Sequence, residues 1–113
     1  MSESTVVREV LSDQQLPAAL PTTHVEIRRI TMSAGISPGA HTHNGPVFGS
    51  IERGGVVFQI DDGPELELGP GDTFYEPADT VITRFDATDD GVVFLAYFLL
   101  TQGQASELRS IEH

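Results

Sequence analysis

The chain has 113 residues, with 17 acidic side chains against 6 arginines, no lysine and no cysteine, for a formal net charge of −11. Such a length fits one domain with a modest core, and the charge disfavours nucleic acids and anionic membranes as partners. Without cysteine there is no disulfide and no thiolate metal site; without lysine there is no Schiff-base chemistry.

The first nine residues lack the basic and apolar pattern of a secretion signal. The longest apolar run, 92–100, is about half the length of a bilayer span. A soluble, cytoplasmic protein is therefore expected. Residues 1–22 read as a peripheral arm: Val6-Val7 and Val10-Leu11 suit a short strand, and 12–16 a turn of helix capped by Ser12, with Pro17 and Pro21 preventing anything longer. Residues 24–32 read as a strand in which Val25 and Ile27 are apolar, followed by a change of phase to Ile30 and Met32 that suggests a bulge. A Gly/Pro-rich loop follows to Ala40.

Residues 47–60 read as two strands broken at Gly54-Gly55. Asp61-Asp62-Gly63-Pro64 is a turn signal, 65–68 alternates as a half-exposed strand, and Gly69-Pro70-Gly71-Asp72 is a second turn. Short strands are expected at 73–76 and 80–85, an acidic turn at 86–91, and a strand apolar on both faces at 92–100. The polar tail carries Leu108 and Ile111 at helical spacing within 105–111. Many short strands separated by Gly/Pro turns mean an all-β sandwich or barrel. The expected division is an N-terminal arm (1–22), a barrel (23–102) and a polar tail (103–113).

Two of the four histidines, His41 and His43, stand two residues apart after the Gly/Pro-rich loop. On a strand both would face one side, where two neutral imidazoles can meet one divalent ion. Two ligands make an incomplete site. Candidates for a third contact are His24, Gln59 and Glu76. Tyr75 and Tyr97 are candidates for binding a substrate oxygen, although tyrosines in strands more often serve the core. Arg84 is a candidate for a ligand carboxylate, against the plainer reading of a surface ion pair. Catalytic candidates are His41, His43, Tyr75 and Glu76. His113 is terminal and reads as a tail residue.

These spacings resemble the cupin superfamily. Gly35, His41, His43 and Gly54 stand at the spacing of its first motif, with Val47 where glutamate is usual. Gly71 and Pro77 fit its second motif, with Asp79, Ile82 and Asp86 where glycine, histidine and asparagine are usual. The resemblance implies a jelly-roll barrel (the double-stranded β-helix), commonly homodimeric, with a metal held by three histidines and a glutamate. Two of those four positions are hydrophobic here. The expectation is a small organic molecule bound beside His41 and His43, with a divalent ion (Zn, Mn, Ni or Fe) weakly held or absent. The alternatives are a small enzyme of isomerase, cyclase or dioxygenase type, or a structural protein with a closed barrel. No phosphate-binding glycine loop and no Gly-x-Ser-x-Gly elbow is present.

Overall fold

Two long strands form the spine of the molecule. The computed structural model describes residues 5–111, which hold β1 (His24–Met32), β2 (His41–His43), β3 (Val47–Ile60), β4 (Leu66–Leu68), β5 (Thr73–Glu76), β6 (Ile82–Leu100) and β7 (Leu108–Ser110). β3 pairs antiparallel with β6 from Val47↔Phe98 to Ile60↔Ile82. Around this pair β1 adds to the second half of β6, β4 and β5 add to the two halves of β3, and β2 joins β6 to β7. Turn chemistry places the short strands: Gly63 N–H donates to the Ile60 carbonyl, and the Asp72 carboxylate accepts from Gly69 N–H, both at 2.9 Å.

The all-β expectation holds, but the closed jelly-roll barrel does not. The strand order is the open path β4-β3-β6-β2-β7, with β1 and β5 as side branches. No ladder among the described residues returns from one end of this path to the other. The reason is local. β2 is three residues long and meets β6 only at His41↔Ile82, and the arm from residue 5 to 23 contributes no strand. The structural alternative that needed a closed barrel falls with it.

Other expectations are corrected. The arm forms neither strand nor helix; Gln14 Nε2 donates to Ser12 Oγ in place of a helix cap. β1 has no bulge, since its register to β6 is unbroken from His24↔Leu100 to Met32↔Val92. The register shifts lie instead in the β3–β6 ladder, between Ile51 and Arg53, between Gly54 and Val56 and between Gln59 and Ile60. β3 therefore bends at Gly54 without ending there. β6 continues as one strand across the expected turn at 86–91, where Gly91 has φ +68°. Residues 108–110 form β7, not helix, because β2 offers them an open edge.

The core lies on the inner face of this bent sheet. Phe58, Phe74, Phe85 and Phe94 pack ring against ring, with centroids 4.8–6.0 Å apart. Because β6 bends, its first half delivers Phe85 and its second half Phe94 and Phe98 to the same interior. On the outer face, Arg29 of β1 donates to Glu52 of β3 at 2.8 Å, and that hydrogen bond holds the exposed Glu52 carboxyl below the usual carboxylate range.

Candidate functional site

The loop before β2 turns on Gly39, whose φ of +76° suits glycine and few other residues. Its carbonyl accepts from His41 Nδ1 at 2.7 Å. A carbonyl can only accept, so the His41 proton sits on Nδ1 and Nε2 presents a lone pair. β2 is then fixed on both sides. Ile111 N–H donates to the Ala40 carbonyl and Asp79 N–H to that of His43, each at 2.9 Å. Asn44 fastens its end to the C-terminal segment, donating to the Ala105 carbonyl at 2.8 Å and accepting from Glu107 N–H at 3.0 Å.

Both imidazoles point to the interior, 2% and 9% exposed, with ring centroids 4.9 Å apart. Glu76, the last residue of β5, is 3% exposed and brings Oε1 to 3.0 Å from His43 Nε2. The register explains its arrival: Glu76 is the direct cross-strand partner of Val47. Opposed residues carry Cβ atoms about 4.5–5.5 Å apart, so the carboxylate reaches from β5 into the space where the motif would place it on β3. One ligand atom from each of His41, His43 and Glu76 lies within 4.8 Å of the others.

These three groups form the polar part of a cavity of about 220 Å³, lined otherwise by Ile30, Met32, Val47, Phe74, Phe94, Phe98 and neighbouring apolar side chains. The volume is at or below the small end of ligand pockets, which start near 300 Å³. His43 Nδ1 is buried with no hydrogen-bond partner. Buried polar atoms are ordinarily satisfied, so this nitrogen marks a place where a ligand, ion or water belongs. The donor set also fits a divalent cation. Two imidazoles and a carboxylate are ordinary ligands for Zn, Mn, Ni or Fe(II), and the 3.0 Å between His43 Nε2 and Glu76 Oε1 is about the spacing of adjacent ligand atoms each roughly 2.1 Å from one ion.

The other sequence candidates are not brought to this cluster. His24 is exposed at the start of β1, opposite Leu100. Gln59 donates to the Gly63 carbonyl at 2.8 Å and so serves the turn. Tyr75 and Tyr97 alternate with cavity residues along their strands and therefore face the other side of the sheet. There Tyr75 stacks on Phe48 with centroids 4.8 Å apart. Arg84 pairs with Asp86 at 3.1 Å and Glu65 at 3.3 Å, away from the cavity. Ile82 is fully buried beside His41, and His113 lies outside the described residues. Pro38 and Leu108, which sequence reasoning passed over, close part of the cavity. Leu108 gave one signal, an apolar side chain in a polar tail.

A protein-family model described as Cupin domain matches residues 28–97. A search of curated protein sequences returns no significant match. Among solved structures, the chain is similar to the DMSP lyase DddQ from Ruegeria pomeroyi DSS-3 (TM-score 0.65, 20% identity, 78% of this chain and 43% of that one). It is equally similar to a chain from the crystal structures of the DMSP lyases RdDddP and RnDddQII (TM-score 0.65, 22% identity, 78% and 44%). A structure described as a sugar phosphate isomerase from a cupin superfamily, from Silicibacter pomeroyi DSS-3, matches with TM-score 0.59 and 25% identity, over 70% of this chain and 52% of that one. The chain thus spans less than half the length of the two lyase chains.

Proposed function

The chain belongs to the cupin-domain family, and on that premise we propose that it is a small catalytic cupin, transforming a small organic molecule in the cavity beside His41, His43 and Glu76. The observation that carries this reading is the convergence of three buried metal-ligating side chains on one apolar cavity, with one imidazole nitrogen left without a partner. The reaction class is lyase or isomerase chemistry based on proton transfer. The names of the lyase and isomerase structures similar to this chain support that class.

His41 Nε2, His43 and Glu76 are the groups that would hold a divalent ion. When bound, such an ion would act as a Lewis acid on a substrate oxygen. The chain's own residues do the rest. Gly39 fixes the tautomer of His41. Without an ion, Glu76 Oε1 orients the His43 ring by accepting from Nε2, which leaves Nδ1 as the lone-pair nitrogen able to accept a proton. Phe74, Phe94 and Phe98 keep water away and so strengthen every polar contact inside. Small-molecule binding without turnover is the simpler form of the same reading, and the nearly all-apolar lining favours it.

Metal content of untagged protein after incubation with Mn, Fe(II), Ni or Zn tests the proposal. Near-stoichiometric uptake is expected in the wild type. His41→Ala, His43→Ala and Glu76→Gln are each expected to weaken it about 10–100-fold, the usual scale for a lost or misaligned ligand partner. Uptake that survives all three substitutions would place the ion elsewhere.

Among the described residues no helix is long and apolar enough to cross a membrane. The net charge of −11 supports a partner that is neither nucleic acid nor membrane. A homodimer is part of the proposal. Val25 and Ile27 on the outer face of β1 are 52% and 60% exposed, beside the outward side chains of 92–100, and apolar surface of this kind favours cover by a second copy. Sedimentation equilibrium should show twice the 12.2 kDa chain mass; a monomer at micromolar concentration would refute this part.

A further inference from the structure

The unbroken register of β1 has a chemical consequence. Glu26, Arg28, Ile30 and Met32 share the inner face of that strand. Ile30 and Met32 line the cavity. Arg28 is the next inward side chain, opposite Ala96, which also lines it. Its guanidinium carbon lies over the Phe98 ring, 4.9 Å from the centroid. Phe98 is itself a cavity wall and meets His43 edge to face at 6.1 Å. One aromatic ring thus touches both the histidine cluster and a fixed cation.

We propose that Arg28 is the anion-recognising residue of this cavity, and that its ligands are small molecules with an apolar body and a terminal carboxylate. The inference rests on reading the cavity as a ligand site and adds the class of ligand. Three observations carry it. First, the cavity's own polar groups are His41, His43 and Glu76, the set that would hold an ion, so the arginine stacked on its wall is the fixed positive charge that the chain itself offers a ligand carboxylate. Second, the chain carries a net charge of −11, a field that repels small anions unless a local cation offsets it. Third, Arg28 is already held in place, stacked on Phe98 and paired through Nε with Glu26. A planar guanidinium with its stem fixed offers a two-pronged donor fork that matches a carboxylate, and little freedom remains to be lost on binding. The Arg28–Glu26 pair is about half exposed (47% and 42%), so it is weak, and a ligand carboxylate can share or replace Glu26.

The test uses the full chain and two probes of equal shape, 4-methylpentanoate and its uncharged amide, with affinities measured by calorimetry. The wild type should prefer the carboxylate by about tenfold or more, the scale of one charge-assisted bidentate contact. Arg28→Ala should remove that preference while leaving the amide affinity unchanged. Arg28→Lys should retain part of it, and Glu26→Gln should raise carboxylate affinity several-fold by freeing the fork. Binding of neither probe, equal binding of both by the wild type, or a preference that persists in Arg28→Ala would overturn the assignment. Metal uptake by the three ligand substitutions is read independently. The assignment can therefore fail while the proposed function stands, and a failure of metal uptake leaves the carboxylate comparison interpretable.

Discussion

His43→Ala is expected to destabilise the metal-free protein by about 3 kcal/mol, while Glu76→Gln leaves it within about 1 kcal/mol of wild type. The two residues touch each other at 3.0 Å, so a simple count of contacts would predict equal losses. Their environments predict otherwise. Removing the imidazole leaves the Glu76 carboxyl, 3% exposed, without its partner in an apolar wall; stranding one member of a buried pair costs several kcal/mol, up to about 5. It also opens space beside Phe98, which adds a packing loss. Glutamine at 76 keeps the shape, can still accept from His43 through its amide oxygen, and no longer buries a carboxylate. His43 therefore keeps its hydrogen-bond partner, and what is lost is the difference between a charge-assisted bond and a neutral one. For a domain of this size each kcal/mol corresponds to about 4–8 °C in Tm, so the two variants should melt at least about 8 °C apart.

Adding metal sharpens the contrast. An ion at 100 times its Kd stabilises the folded state by about 2.7 kcal/mol. The wild type should gain that increment, whereas Glu76→Gln, binding about 10–100-fold more weakly, should gain only about 0.4–1.4 kcal/mol, although its metal-free stability is close to that of wild type. A variant that folds normally and responds less to metal separates a ligand role from a structural one. Equal melting of His43→Ala and Glu76→Gln without metal would show that the Glu76 carboxyl does not depend on His43. A full metal response in Glu76→Gln would remove Glu76 from the ligand set.

Much of this site was legible before the fold was known. His41 and His43 declare a shared face by their spacing, and both line the cavity. Val47 and Ile82 could be marked as hydrophobic residues at expected ligand positions. What spacing could not show is which distant strand lies beside Val47. That depends on the β3–β5 register, and it alone decides that Glu76, and not His24 or Gln59, meets the histidines. Arg28 was hidden for a related reason. Val25 and Ile27 look like core residues, so the strand seemed to change phase before Ile30, when in fact those two face outward. The tail was misread because Leu108 and Ile111 satisfy helical spacing while the open edge of β2 decides for strand. In each case a long-range pairing overrode a local pattern, the usual weakness of strand reading. The open sheet is the largest such case. Strand number and turn spacing look alike in open and closed sheets, and closure depends on pairings such as the single His41↔Ile82 contact.

Gly54 shows how a residue read as a break is in fact a bend, and its substitution should have the largest effect on stability. Gly54 has φ +71°, and a Cβ built there would lie 2.0 Å from the Gly91 carbonyl oxygen and 2.8 Å from its carbon. Those atoms are backbone and cannot swing aside. Gly91 also has a positive φ, +68°, and its own Cβ position lies 3.0 Å from the Met32 carbonyl oxygen. The two glycines let β3 and β6 bend together against β1. Gly54→Ala must accept a left-handed backbone at about 1–2 kcal/mol and displace the facing strand at a further 1–3 kcal/mol. The sum, about 2–5 kcal/mol, is a large part of the roughly 5–15 kcal/mol that holds such domains folded. Gly69→Ala is the matched control: nothing lies within 4 Å of its Cβ position, its φ is not positive, and its stability should change by no more than about 1 kcal/mol. Urea denaturation of the two variants reads the difference directly. The bend also brings Phe85 and Phe94 to one cavity, so in whatever fraction of Gly54→Ala folds, metal affinity should fall although no ligand was touched. Equal denaturation midpoints for the two variants would mean that β3 and β6 do not approach each other as closely as this geometry requires.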